Sequence, residues 1–250
     1  MPERRPLTAK RLIFANTVNE LMLARPAAGH AHGLDAGSPR KLWLAHSGDA
    51  VLSPRSVTPP FADYAFDLLE LEPGSVAAVT VEGELTAPLS DRLAARPAAA
   101  ARLRRLIAER GLSEAACYAC DRPTVALLEA AGLRIAGYAG PVPEPVLEAC
   151  YRLNTKSGFR ALAAELGLPI QPGLVCEGRA ALGRAVAALL ADHPRVLVKL
   201  DRSSNGYGHA AFARARPAAL AEQLDRYAER VAPQPARFVV DRQLLSLIHI

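Results

Sequence analysis

The stretch Val196–Ala210 reads VLVKLDRSSNGYGHA. An apolar run suited to a strand ends at Lys199 and Leu200, and a loop of Asp, Ser, Asn and Gly follows. Glycines let a backbone come close to a polyphosphate and adopt dihedrals closed to other residues. The exposed N–H groups of such a loop, with Ser hydroxyls and an Asn amide, donate to phosphate oxygens. An ammonium at the strand end is a compact point charge suited to one phosphate oxygen. The chain has only four lysines among its 30 basic residues, and a second one, Lys156, stands at a helix start. In so arginine-rich a composition, two lysines so placed suggest a geometric need. The plainer alternatives are a solvated strand end and an ordinary polar hairpin. A Walker A loop is excluded, because G-x-x-x-x-G-K-[ST] is missing and the lysine precedes the glycines.

Working outward, NTKSGFRALAAELGLPIQPG predicts a helix capped by Asn154 or Thr155 and running through Leu166. Phe159, Leu162, Ala163 and Leu166 share one face. Gly167 ends it and Pro169 prevents continuation. Strands are expected at Gly173–Cys176, Arg195–Leu200, His209–Ala213 and Arg237–Val240, with helices at Ala180–Ala191 and Pro217–Val231. The strands flanking the loop should form a hairpin with the loop at its tip.

Upstream, Arg11–Ala15, Lys41–Ala45, Val76–Val81 and Ala115–Ala119 read as short buried strands. Ala98–Arg110 reads as a helix stopped by Gly111, and Val125–Ala131 as one capped by Thr124 and ended by Gly132. Strands alternating with helices imply an open α/β sheet. No G-x-G-x-x-G follows the first strand, so a dinucleotide site there has no support. Pro141, Pro143 and Pro145 mark a boundary, placed at residue 143. Cys117 and Cys120 form a lone C-x-x-C. It fits redox chemistry or half a zinc site, but two small residues on a buried strand is the favoured reading. His30 and His32 in GHAHG read as part of a polar loop rather than a metal site.

Half of the residues are hydrophobic and 22% are charged, which excludes a disordered chain. The net charge of +5 is scattered, with no basic run interleaved with aromatics, so nucleic acid is not an expected partner. No apolar run approaches the roughly 18 residues of a membrane span, and the N-terminus lacks the apolar core of a signal peptide. Four cysteines are too few for a disulfide scaffold. A cytoplasmic, reduced protein is expected, and the oligomeric state is not readable.

The order and separation of TKSGFRALAAELGLPIQPG, VLVKLDRSSNGYGHA and RFVVDRQL resemble the ATP-grasp superfamily with its preceding pre-ATP-grasp domain. FANTVNE and LNTKSGF are most similar to proteins related to the pheganomycin peptide ligase. The resemblance implies a Rossmann-like α/β pre-ATP-grasp domain over 1–143, followed over 144–244 by the first α+β lobe of an ATP-grasp domain. It assigns Lys156 and Lys199 to ATP phosphates or the adenine edge, and Ser203, Ser204, Asn205, Gly206 and Gly208 to a phosphate lid. Asp241, Arg242 and Leu244 would form the adenine hinge, where the family more often has Glu in place of Asp241. The implied reaction is ATP-dependent ligation of a small-molecule carboxylate to an amine through an acylphosphate, with amino acids or peptides as substrates. Mg²⁺ would be held by acidic residues and an Asn from the C-terminal half of the fold. That half is expected to be missing, which makes this chain an inactive N-terminal fragment. Leu245–Ile250 (LSLIHI) reads as translated sequencing adapter. Three other readings stay open: a carboxylase or another acylphosphate-forming ligase; a non-catalytic, regulatory nucleotide-binding protein; and a Rossmann-like binding module without ATP chemistry.

Overall fold

The computed structural model describes residues 9–22, 28–231 and 237–243. The chain divides into two compact units, one reaching Cys150 and the other running from Tyr151. The expected boundary at 143 lies just before a helix, Glu144–Leu153, that carries the chain across this division. Among the described residues no helix is long and apolar enough to cross a membrane.

Among the described residues the first unit holds five strands: Arg11–Phe14 (β1), Ala50–Ser53 (β2), Ala77–Thr80 (β3), Glu114–Cys117 (β4) and Arg134–Ile135 (β5). They form one parallel sheet in the order β3-β2-β1-β4-β5. Its helices are Ala28–Ala36 (α1), Pro59–Leu68 (α2), Leu89–Ala94 (α3), Pro97–Arg110 (α4) and Arg122–Ala130 (α5), before the boundary helix Glu144–Leu153 (α6). Successive side chains of a strand point to opposite faces. Leu12 and Phe14 therefore join Leu52, Leu89 and Leu128 on one side, while Ile13 joins Leu42, Val51 and Ala65 on the other. Burying each such side chain is worth about 1.5–3 kcal/mol, and coverage on both faces is what a parallel sheet requires. The strand order reverses between β1 and β4, the place where open α/β sheets form a crevice.

The second unit contains Lys156–Glu165 (α7), Gly173–Glu177 (β6), Gly178–Asp192 (α8), Arg195–Leu200 (β7), Ala210–Ala213 (β8), Pro217–Val231 (α9) and Arg237–Arg242 (β9). Its sheet is antiparallel in the order β6-β9-β7-β8. Val196, Val198 and Leu200 of β7, with Phe238 and Val240 of β9, pack against Leu182, Val186, Leu224 and Tyr227 of α8 and α9. Alternation then sends Lys199, Val239 and Asp241 to the opposite face, and all three line one cleft. The strand phase thus decides where the polar site can be.

Several local expectations are corrected. Lys41–Ala45 is not a strand: Ser38–Leu44 is a 3-10 helix with proline in its first turn, where a fixed φ and a missing N–H do no harm. The strand beside β1 is instead Ala50–Ser53, buried at all four positions. The cap of α5 is Asp121, whose carboxylate accepts from the Thr124 N–H at 3.2 Å. The Thr124 hydroxyl is taken up by the Asn16 amide. Cys120 lies beyond β4, in the turn before α5, so only Cys117 is on a strand. His30 and His32 lie within α1 rather than a loop, because tertiary contacts hold that helix: Ala31 is fully buried, and Asp35 pairs with buried Arg92 at 2.7 Å. On α7 only Ala163 is buried, whereas Phe159 and Leu166 are 55% and 63% exposed.

Candidate functional site

The second unit holds a cleft of about 550 Å³, lined by α7 (Lys156, Phe159, Arg160), by β7 and β9 (Lys199, Val239, Asp241), and by Ser203 and the Pro169–Gln171 turn. Its size lies in the usual range for small-molecule sites, roughly 300–1,000 Å³.

Lys156 is delivered by the first residue of α7. Thr155 caps that helix, its hydroxyl accepting from the Gly158 N–H at 3.1 Å. The helix start is also fastened to the loop that follows β7. The Asp201 carboxylate accepts from the Ser157 N–H at 2.7 Å and from its hydroxyl at 2.9 Å. An anion there also meets the positive end of the helix. The Lys156 ammonium donates to the Leu200 carbonyl (2.8 Å), the Ser203 carbonyl (3.1 Å) and the Ser203 hydroxyl (3.0 Å). Burial pushes its pKa down, with the nearby Lys199 adding to the effect and Asp201 opposing it.

Lys199 reaches the cleft diagonally across the β7–β9 ladder. It stands opposite Val239 in register, and its ammonium meets the Asp241 carboxylate at 2.8 Å. The other Asp241 oxygen accepts from Arg160 at 2.9 Å. The Arg160 guanidinium also donates to the Gln171 carbonyl at 2.8 Å. Asp241 is 5% exposed, so a nearly buried carboxylate bridges two cations. Room for it comes from Gly173, its partner on β6: a Cβ there would lie 2.2 Å from Asp241 Oδ1.

The loop between β7 and β8 carries the remaining residues named from the sequence. Asn205, Gly206 and Gly208 have φ of 51°, 73° and 71°, the left-handed region that favours Asn and Gly. A Cβ at Gly208 would also strike Leu200 at 2.4 Å. The loop is tied down from α9, where the Tyr227 hydroxyl donates to the Gly208 carbonyl at 2.7 Å. Ser204 Oγ is buried in this loop and has no hydrogen-bond partner among the described residues.

Lys156, Lys199, Ser203 and Asp241 therefore come together around the cleft. Ser204, Asn205, Gly206 and Gly208 stand in the adjoining loop. Arg242 does not line the cleft; its N–H donates to the Pro172 carbonyl at 3.3 Å, and its carbonyl accepts from the Gln171 amide. Leu244 and Leu245–Ile250 lie outside the described residues. Sequence reasoning missed Arg160, Asp201 and His209. Arg160 had a signal, since it is four residues after Lys156 and so on the same helix face. His209 follows the loop, and its pKa is lowered by burial and then by the charges of Lys156 and Lys199. Among the described residues no group of three His, Cys, Asp or Glu side chains could hold a metal ion.

Residues 38–133 match the family described as the Pre ATP-grasp domain. No curated protein sequence matches the chain. The biotin carboxylase domain of Hydrogenobacter thermophilus 2-oxoglutarate carboxylase, solved with MgADP, ADP and bicarbonate, is similar in structure. It aligns at a TM-score of 0.52 and 13% identity, over 94% of this chain and 44% of that one. Rhizobium etli pyruvate carboxylase aligns at 0.51 and 16% identity, over 94% of this chain and 18% of that one. D-alanyl-alanine synthetase A from Vibrio cholerae aligns at 0.49 and 11% identity, over 96% of this chain and 60% of that one. This chain spans less than two thirds of each of these structures, and identities this low speak for the fold alone. The match over residues 38–133 and these likenesses agree on the fold: a parallel α/β unit like a pre-ATP-grasp domain, followed by a unit like the beginning of an ATP-grasp fold.

Proposed function

We propose that this chain is the nucleotide-binding portion of an ATP-dependent ligase that joins a small-molecule carboxylate to an amine. The observation that carries the reading is the convergence of Lys156 and Lys199, delivered by separate elements, on one cleft beside a glycine-bearing loop. The Ser203 hydroxyl at the cleft and the left-handed backbone at Asn205, Gly206 and Gly208 fit a phosphate chain. The motifs of the second unit resemble ATP-grasp ligases, and MgADP occupies a structural neighbour. ATP, when bound, supplies the phosphoryl group that turns the carboxylate into an acylphosphate with release of ADP; the amine then attacks the acyl carbon, forming the C–N bond as the C–O bond breaks and phosphate leaves.

The chain's own groups bind and orient. Lys156 and Lys199 would exchange their present partners for phosphate oxygens, at a cost set by the contacts they leave. Arg160 would keep Asp241 compensated as Lys199 moves away. The loop amides would then close over the phosphates without a Cβ in the way. Such a site works by positioning and charge neutralisation. The described residues offer Mg²⁺ no ligand cluster, and the roles assigned to them do not run through a metal.

The test is calorimetric titration of the full chain with MgATP, beside Lys156→Met and Lys199→Met. A charge-assisted hydrogen bond is worth about 1.5–3 kcal/mol, so each variant is expected to bind at least about tenfold more weakly. Equal affinity in all three proteins would remove the reading. The ligase assignment itself needs ADP formation that depends on both an amine and a carboxylate. ADP formation that depends on bicarbonate alone would move it to a carboxylase.

A further inference from the structure

The C-x-x-C pair lies in the first unit, at the C-terminal end of β4 where the strand order reverses, and takes no part in the site described above. Cys117 is the last residue of β4, and Cys120 stands immediately before Asp121, the N-cap of α5. The two sulfurs are 3.1 Å apart. That proximity is built by the backbone between them. The Tyr118 N–H continues the β1–β4 ladder to the Phe14 carbonyl at 3.1 Å. Asn16, fully buried at the end of β1, clamps Ala119 from both sides: its Oδ1 accepts from the Ala119 N–H at 3.1 Å, and its Nδ2 donates to the Ala119 carbonyl at 2.7 Å. The same amide donates to Thr124 in the first turn of α5 at 3.0 Å. Both cysteines are partly accessible, and Cys117 is the more deeply set. Bonded sulfurs lie about 2 Å apart, so a shift of roughly 1 Å would join them.

We infer that Cys117 and Cys120 are a redox-active dithiol, a modification site that closes to an intramolecular disulfide on reaction with a low-molecular-weight disulfide. Cys120 is the attacking sulfur. It stands at the positive end of α5, and once it is a thiolate the Cys117 thiol is placed to donate to it. That hydrogen bond lowers its pKa against the opposing effects of burial and Asp121. The same bond and burial push the Cys117 thiol up. In the first step the Cys120 thiolate attacks one sulfur of the small disulfide, forming a mixed disulfide and releasing one small thiolate. In the second, Cys117 gives up its proton and attacks Cys120 Sγ, and the second small thiolate leaves. The two electrons lost by the pair reduce the small disulfide to two thiols, which take up both protons.

The experiment treats the full chain with oxidised glutathione, blocks the remaining thiols by alkylation under denaturing conditions, and maps the peptides by mass. The peptide containing Cys117 and Cys120 is expected to lose both alkylation sites and regain them after reduction. Cys150 and Cys176 serve as internal controls. Burial raises the Cys176 thiol, so at neutral pH Cys120 should react about tenfold faster than Cys176. Cys117→Ser should trap a stable mixed disulfide on Cys120, and Cys120→Ser should leave Cys117 unreacted. A peptide that keeps both alkylation sites while Cys176 reacts would overturn the inference. So would a Cys117→Ser protein without an adduct on Cys120. If that variant does not fold, the wild-type peptide map decides alone.

Discussion

Asp241 is the residue on which the cleft balances. Its carboxylate meets Lys199 and Arg160 at 2.8 and 2.9 Å, and the side chains of these two cations are 25% and 16% exposed. Asp241→Asn would leave two partly buried cations without their counter-ion. Removing one partner of such a pair is costly because the other charge stays behind. A destabilisation of about 2 kcal/mol or more is expected, read as a lower urea midpoint at unchanged slope. An unchanged midpoint would mean that water already screens the pair. His209 carries a pH signature. Its pKa is lowered by burial and the two lysines, so below the ordinary value of 6.5 the unfolded chain binds the proton more readily. Stability should then rise with pH through that window and be lost as pH falls. His209→Gln should remove part of the loss in melting temperature between pH 7 and pH 5; equal losses would assign the effect to other groups. Lys156 and Lys199 were legible in the sequence because a helix start and a strand end are local signals. Gly173 was not, because its purpose exists only in the β6–β9 register.

At the scale of elements, the loop between β7 and β8 is fastened at two points. Asp201 ties its base to α7, and Tyr227 of α9 ties its far end through the Gly208 carbonyl. Burial pushes the Tyr227 phenol up, so it stays a donor throughout the physiological range. Tyr227→Phe deletes this hydrogen bond and keeps the ring that packs against Phe212 and Phe238. A loss of about 1 kcal/mol is expected. Faster amide hydrogen exchange should appear at Tyr207 and His209, whose N–H groups close the loop's own turns; unchanged exchange there would mean that the loop is held by its base alone. Elements with strong periodicity or firm stops were readable, such as α4 before Gly111 and α9. The errors fell where short apolar runs compete. KLWLA looks more strand-like than AVLS, yet Pro39 starts a 3-10 helix there and the plainer segment takes the place beside β1. Composition could not separate them, because sheet membership is decided by neighbours.

At the scale of the molecule, the two units differ in how they treat their sheets. In the first, the central strand β1 buries Leu12, Ile13 and Phe14 to 1% exposure or less. In the second, β6 is, among the described residues, an edge strand paired with β9 alone, and its Leu174 and Val175 are 42% and 46% exposed. Leu166 and Leu168, at and beyond the end of α7, are 63% and 54% exposed. Soluble proteins usually blunt a sheet edge with a charge, a proline or a bulge, because unpaired N–H and C=O groups beside apolar side chains invite another strand. Large apolar patches carry the same risk. This was legible only in part: the alternation of α7 gave the apolar face, but nothing local says that Phe159 and Leu166 stay uncovered. The full chain is expected to self-associate as its concentration rises, seen as growing weight-average mass in sedimentation. Val175→Lys should suppress that association while leaving the melting temperature within about 1 °C, since exposed substitutions change stability little. A lysine at position 175 tests the edge, whereas Leu166→Lys tests the patch on α7. If the first has no effect and the second does, association runs through the helix face; if the wild-type chain stays monomeric throughout, neither surface is sticky enough to matter.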